Sequence, residues 1–191
     1  MEGPKAGGHL GFKKEQIEDE HYSLEHLIPE VVEVARSYAG RKNIPVIAAG
    51  GIATGEDIAR FMALGASAVQ MGSIFVPTEE CDASVEFKKV YLNAHREDIR
   101  IIQSPVGMPG RAFDGEFIRN VAEGKEKPRS CPFHCIKTCD YTKSPYCIIT
   151  ALYNAAKGNM KKGYAFADKI RSVREVVEKL KTDFFLSKAA F

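Results

Sequence analysis

Little charge of one sign is left over in this sequence, in which 27 basic and 25 acidic residues give a formal net charge of +2. That is too small a footprint to neutralise a phosphate backbone, and no basic run interleaved with aromatics appears, so nucleic acid is not an expected partner. Long apolar runs are missing as well. No window approaches the roughly 20 consecutive apolar residues that a membrane helix needs, and the opening MEGPKAGGHLGF has neither the basic region nor the apolar stretch of a secretion signal. The expectation is a cytoplasmic protein that engages no membrane. Internal repeats and low-complexity segments are absent. Cysteine is scarce outside one place: of five, four fall between Cys131 and Cys147, an odd set that argues against a disulfide framework and for reduced thiols or a metal. What is present is the balance of an ordinary globular domain, with 191 residues, 45% of them hydrophobic and 27% charged.

Strands and helices alternate over the first half. A loop rich in Gly and charge, residues 3–22, leads to a helix with Pro29 in its first position, Val31, Val32, Val34 and Ala35 on its apolar face, and an end near Gly40. Residues 44–49 form a continuous apolar run stopped by Gly50 and Gly51, the pattern of a strand buried on both faces. Thr54 is an N-cap with Glu56 and Asp57 in the first turn, and Ile58, Phe61, Met62 and Gly65 follow at helical spacing. A second buried strand, residues 66–71, ends at Gly72, and Ser84 caps a helix carrying Phe87, Val90, Tyr91 and Ala94. Connections this short between strand, helix and strand predict parallel βαβ units and an α/β fold.

After Arg100 the alternation stops. Residues 101–103 have the composition of one more strand, while SPVGMPGRAFDG reads as loop. Two helices follow: one from Pro145 to about Lys157 with Gly158 as its stop, the other capped by Ser172 with Glu175 three residues on and burying Val173, Val176, Val177 and Leu180. The tail after Asp183 is expected to fray or lie on the surface.

Three motifs carry chemistry. In AAGGIATGED a strand runs into Gly50 and Gly51 and then into a capped helix, so that main-chain N–H groups and a helix N-terminus can approach an anion; a Gly-Gly turn of this kind is as readily a packing device. AVQMGSIF repeats the arrangement, with Gln70, Met71 and Gly72 at the strand end and Ser73 as a hydroxyl donor. Two consecutive turns of this kind can grip one phosphate, as the loops after the last two strands of α/β barrels do. In GPKAGGHLGF, Gly7 and Gly8 let a flat ring or a phosphate lie against the main chain, and His9 follows them with the side chain best suited to move a proton near neutral pH, although a lone His in a Gly-rich loop is more often solvated or structural.

GPKAGGHLGF, IPVIAAGGIATGEDIARFMALGASAVQMGSIF and SPVGMPGRA, in this order and spacing, resemble the nitronate monooxygenases, formerly called 2-nitropropane dioxygenases; the flavin-type enoyl-acyl carrier protein reductases are close relatives. The resemblance covers roughly residues 3–180. It implies the last strands and helices of a TIM (β/α)8 barrel, residues 1–98, followed by a lid loop and C-terminal helices, residues 99–191. It implies FMN held non-covalently by Gly7, Gly8, Gly50, Gly51, Gln70, Met71, Gly72 and Ser73, after the sixth, seventh and eighth strands, with His9 as the active-site histidine. For a nitroalkane, His9 removes the proton beside the nitro group and electrons pass through the flavin to O₂. For an enoyl thioester, NAD(P)H is the electron donor and His9 the proton donor. Residues 104–111 are either a cover for the site or a rigid wrap, and Arg111 either meets a substrate anion or forms an exposed ion pair.

Departures accompany the matches. Glu2 stands where many members have Gln, GYAF runs directly into ADKIRSV where relatives insert several residues, and the family's earlier strands are not in this sequence. The economical expectation is a truncated chain or fragment, whose bare strand edges make it poorly soluble, self-associating or dependent on a partner. A non-catalytic fragment that binds at most a phosphate is therefore the alternative to a flavoenzyme half. The cysteines are weighed separately. Cys131, Cys135, Cys139 and Cys147 are enough to satisfy Zn²⁺ or an iron–sulfur centre. On a continuous helix, however, the first and third sulfurs would lie about 12 Å apart. Metal binding thus requires a non-helical segment, which Pro132 and Pro145 permit; otherwise the four are structural thiols, with His134, Asp140 and Cys81 as ordinary surface or loop residues.

Overall fold

Residues 1–38, 44–137, 139–158 and 169–189 are described by the computed structural model. The chain forms two units, Met1–Phe75 with Ser172–Phe191, and Val76–Arg171. In the first unit the two apolar runs become short parallel strands, β2 (Ile47–Ala49) and β3 (Ala68–Gln70), with Ile47 opposite Ala68, Ala48 opposite Val69 and Ala49 opposite Gln70. Residues 1–3 run parallel along the other side of β2: Ala49 N–H donates to Met1 O at 2.9 Å and Gly3 N–H to Ala49 O at 2.8 Å. The two-residue strand β1 (Gly8–His9) follows.

Helices α1 (Leu24–Ser37) and α2 (Gly55–Ala63) cover one face of this sheet. Leu24, Ile28 and Val32 recur every fourth residue along α1 and meet Val46, Ala48, Ile52, Phe61 and Ala66 in the core. Burial of each leucine, isoleucine, valine or phenylalanine among them contributes about 1.5–3 kcal/mol. On the other face Ile47, Ala68 and Gln70 are exposed. Val46 and Ala48 are buried while Ile47 between them is 45% exposed, so the expected strand buried on both faces is instead a half-buried, alternating one. Helix α1 also starts earlier than its proline suggests, at Leu24, with Pro29 exposed inside it. The missing N–H leaves the Glu25 carbonyl without its helical donor, a loss that sits near the surface. The expected stop at Gly40 lies outside the described residues.

Caps follow their sequence signals. Asp57 N–H donates to Thr54 Oγ1 at 3.0 Å and Thr54 N–H to Asp57 Oδ2 at 3.1 Å, a reciprocal box at the start of α2 worth about 1 kcal/mol. Glu175 N–H to Ser172 Oγ (3.2 Å) and Ser172 N–H to Glu175 Oε2 (2.8 Å) do the same for α6 (Val173–Ala189). Val176 and Leu180 of α6 are buried; the helix runs on past Asp183, with Phe185 and Leu186 exposed. It packs on α2 at Gly55, where an added Cβ would fall on the Leu180 carbonyl oxygen and the Phe184 nitrogen.

In the second unit Ser84 caps α3 (Val85–Asn93), its Oγ accepting from Phe87 N–H at 3.2 Å. The segment expected to be loop is a hairpin: β4 (Ile99–Gln103) pairs antiparallel with β5 (Pro109–Phe113). Buried Ser104 closes its turn, donating its N–H to Met108 O and accepting from Gly107 N–H, both at 3.0 Å, with Gly107 at φ 86. Pro109 and Gly110 hid this strand from sequence reasoning, since both are rare in strand interiors. Arg111 is a half-buried member of β5, not a loop residue. Helix α4 (Glu116–Ala122) was not foreseen, and α5 (Ile148–Ala156) begins three residues past Pro145. No helix among the described residues is long and apolar enough to cross a membrane.

The tight backbone contact at Gly55 makes it the sharpest test of this packing. Gly55→Ala is expected to destabilise the first unit by about 1–3 kcal/mol, read as a lower denaturant midpoint; an unchanged midpoint would mean that α6 does not seat on α2.

Candidate functional site

Parallel pairing fixes where strands end. Because residues 1–3, β2 and β3 run the same way and Ala49 lies between Glu2 and Gln70, the turns that follow all leave the sheet at one edge. Those turns begin at Pro4, at Gly50 with Gly51, and at Met71 to Ser73. Of the sequence-predicted residues, Gly50, Gly51, Gln70, Met71, Gly72 and Ser73 thus stand at one rim of carboxyl ends, while Gly7 and Gly8 come four and five residues after Gly3, Gly8 opening β1. His9 comes one residue after Gly8, whose φ of 73 turns the chain, and is half-buried.

The glycines divide into two kinds. At Gly50 (φ 101) an added Cβ would sit 2.9 Å from Ala6 N and 3.1 Å from Gly3 O, and at Gly51 (φ 74) 2.8 Å from Lys5 Cβ. Glycine is needed here because the chain's own N-terminal turn already occupies the space and because the left-handed backbone excludes most side chains. At Gly7, Gly8 and Gly72 nothing lies within 4 Å of the added atom. Their main chain is open on that side among the described residues. Gln70 is exposed on the same face as Ala68, while the Met71 side chain packs against the core, so Met71 has only its main chain to offer at the rim. Ser73 is exposed and opens a 3-10 turn, Ser73–Phe75, closed by Phe75 N–H to Gly72 O at 2.9 Å.

Beside Gly50 and Gly51 lies a small open hollow formed with Pro4, Lys5, Ser23 and Arg60. Gly72 and Ser73 do not line it; what the two glycine turns share is the sheet rim. Lys5 and Arg60 were not singled out from the sequence, although Lys5 lies inside GPKAGGH. Arg60 is already committed, to Asp57 at 2.7 Å and Glu25 at 3.4 Å.

The cysteines lie in the second unit and are all free thiols. The described residues of their segment form no helix, so the objection from helical spacing falls away. Cys131, Cys135, Cys139 and Cys147 line one small hollow, whereas Cys81 does not. As they stand, no three His, Cys, Asp or Glu among the described residues are grouped to hold a metal ion. Cys147 occupies the N-cap position of α5, and the neighbouring Thr150 hydroxyl, aided by the Thr150 and Ile149 N–H groups, holds its thiol below the ordinary value against the opposing effect of partial burial.

Two outcomes follow from these environments. Gly72→Val should leave stability within about 0.5 kcal/mol of the parent, whereas Gly51→Val should cost about 1–3 kcal/mol through its left-handed backbone; equal thermal shifts for the two would contradict the open and filled spaces described above. In metal-free protein, Thr150→Val should move the alkylation of Cys147 to higher pH; coincident profiles for variant and parent would deny the hydroxyl its role.

Comparison with known proteins places these features in context. The family profile described as nitronate monooxygenase matches residues 1–183. A "probable nitronate monooxygenase" of Staphylococcus saprophyticus subsp. saprophyticus is 33% identical over 124 residues, which span 64% of this chain and 33% of that protein. One of the same name from Staphylococcus aureus strain Newman is 32% identical over 123 residues, again 64% of this chain and 33% of that one. Among solved structures, FabK from Thermotoga maritima superposes with a TM-score of 0.69 at 28% identity, covering 99% of this chain and 54% of its own. A nitroalkane oxidase from Streptomyces ansochromogenes gives 0.64 at 26%, covering 99% and 52%. The chain thus spans about half the length of these structures, and its parallel strand–helix units are part of a TIM barrel.

Proposed function

We propose that this chain, which belongs to the nitronate monooxygenase family, supplies the phosphate-binding rim and the proton-transfer histidine of an FMN-dependent oxidoreductase that oxidises alkyl nitronates with O₂. The observation that carries this reading is the shared rim: three successive parallel segments end together, and Gly7, Gly8 and Gly72 leave open space where Cβ atoms would otherwise stand. Residues of this kind fit a phosphate and a flat ring, since main-chain N–H groups can reach the anion and no side chain bars the approach.

FMN, when bound, supplies the electron-transfer chemistry. The chain's own residues bind and position. Main-chain amides around Gly72 and Ser73, with the Ser73 hydroxyl, would hold the phosphate; Gly50 and Gly51 would hold their turn against residues 3–6; and Gly7 and Gly8 would let the ring lie close to the backbone. With a nitroalkane, a ring nitrogen of His9 would accept the proton from the carbon beside the nitro group. With a nitronate, that proton is already gone and the imidazole would serve to orient the anion.

A second reading, reduction of an enoyl thioester with NAD(P)H as electron donor, rests on the resemblance of the same motifs to the flavin-type enoyl-acyl carrier protein reductases. There His9 would give a proton rather than take one. Both readings require the family's remaining strands, and both need the rim.

Flavin absorbance retained by the purified chain after gel filtration with FMN tests the rim directly. Retention that is lost in Gly72→Val, at unchanged stability, is the expected result; equal retention by the variant would remove Gly72 and its turn from the phosphate site. In the complete barrel His9→Ala should keep flavin and lose about 10²- to 10⁴-fold in turnover, and retained turnover would end the proton-transfer assignment.

A further inference from the structure

The four clustered cysteines belong neither to the rim nor to the core of the first unit. They lie in the stretch between the end of α4 at Ala122 and the start of α5 at Ile148, where the described residues form no helix. The backbone turns back within it: His134, between Cys131 and Cys135, adopts φ 45, a left-handed conformation rarely taken by non-glycine residues. All four cysteines line the same hollow, whose other walls include Pro105, Ile136 and Tyr146 and no charged residue. None is used in a disulfide.

Four soft donors around one uncharged hollow select a soft ion. Cys131 and Cys135 are separated by three residues, within the two-to-four-residue spacing usual for thiolate pairs on zinc. Carboxylates, which would favour harder ions, do not line the hollow. With all four positions taken by sulfur, no coordination site is left open for substrate, so such an ion would be structural. We propose that Cys131, Cys135, Cys139 and Cys147 form a four-thiolate site for a single Zn²⁺ ion, which ties residues 131–147 into a closed loop. The thiols are not yet gathered to ligating distance, so binding and loop ordering occur together. Each thiol gives its proton to solvent as its sulfur–metal bond forms, and no oxidant or reductant is needed.

The test uses the whole chain, reduced and stripped with chelator, then titrated with Zn²⁺ or Co²⁺. One equivalent of Zn²⁺ should shield four of the five thiols from a thiol-modifying reagent. One equivalent of Co²⁺ should produce the thiolate-to-metal charge-transfer bands and intense d–d bands of a tetrahedral sulfur site. Cys131→Ser and Cys147→Ser should lose the Co²⁺ spectrum, while Cys81→Ser, outside the hollow, should keep it. Thiol shielding in the unmodified chain needs no variant, so a misfolded mutant cannot hide the answer. Unshielded thiols at saturating Zn²⁺, an unaltered Co²⁺ spectrum in Cys147→Ser, or iron and inorganic sulfide in the chain as isolated would each overturn the zinc site.

Discussion

Main-chain pairing along β2 is the constraint from which the rest of the first unit follows. Its N–H and C=O groups are taken on one side by residues 1–3 and on the other by β3, all running the same way. A parallel ladder leaves no freedom about where the connections emerge: every one must leave from the same end and return by a helix on the covered face. The turns that follow residues 1–3, β2 and β3 leave from one end of the sheet for that reason. Had any of the three segments run antiparallel, its turn would lie at the opposite end.

The same ladder explains why two glycine pairs of similar appearance do different work. Gly50 and Gly51 are held against the turn of residues 3–6, and their left-handed backbone lets two strand ends pack side by side. Gly7 and Gly72 are pressed by nothing. In the sequence both kinds read as places where an anion could come close, because composition does not say which side of a glycine is already filled. Close packing of the chain on itself and open access for a ligand both select the smallest residue.

What the sequence revealed was governed by local interactions. Thr54 with Asp57, Ser84 with Phe87, and Ser172 with Glu175 are contacts within one turn, and their patterns were legible as caps before any fold was known. The parallel units were legible because short connections permit few topologies, and the candidate rim followed from them together with the family resemblance. Hidden features depended on distant partners. β5 contains Pro109 and Gly110 and becomes a strand only through its pairing with β4; Ile47 looks like core until its exposure is seen. Pro29 misled for a related reason, since a helix tolerates a missing donor where an exposed carbonyl can turn to water. The arrangement of the cysteines was unreadable in principle, because helical spacing and a folded loop share one sequence.

The first unit is assembled from two separated stretches, Met1–Phe75 and Ser172–Phe191. On the ribosome, synthesis at about 5–20 residues per second means that α2 emerges many seconds ahead of the helix that seats upon it. Until then Gly55 and its neighbours face an unfilled seat, and a nascent chain at that stage presents apolar surface to chaperones. Folding of the first unit is thereby timed by translation of the segment inserted within it.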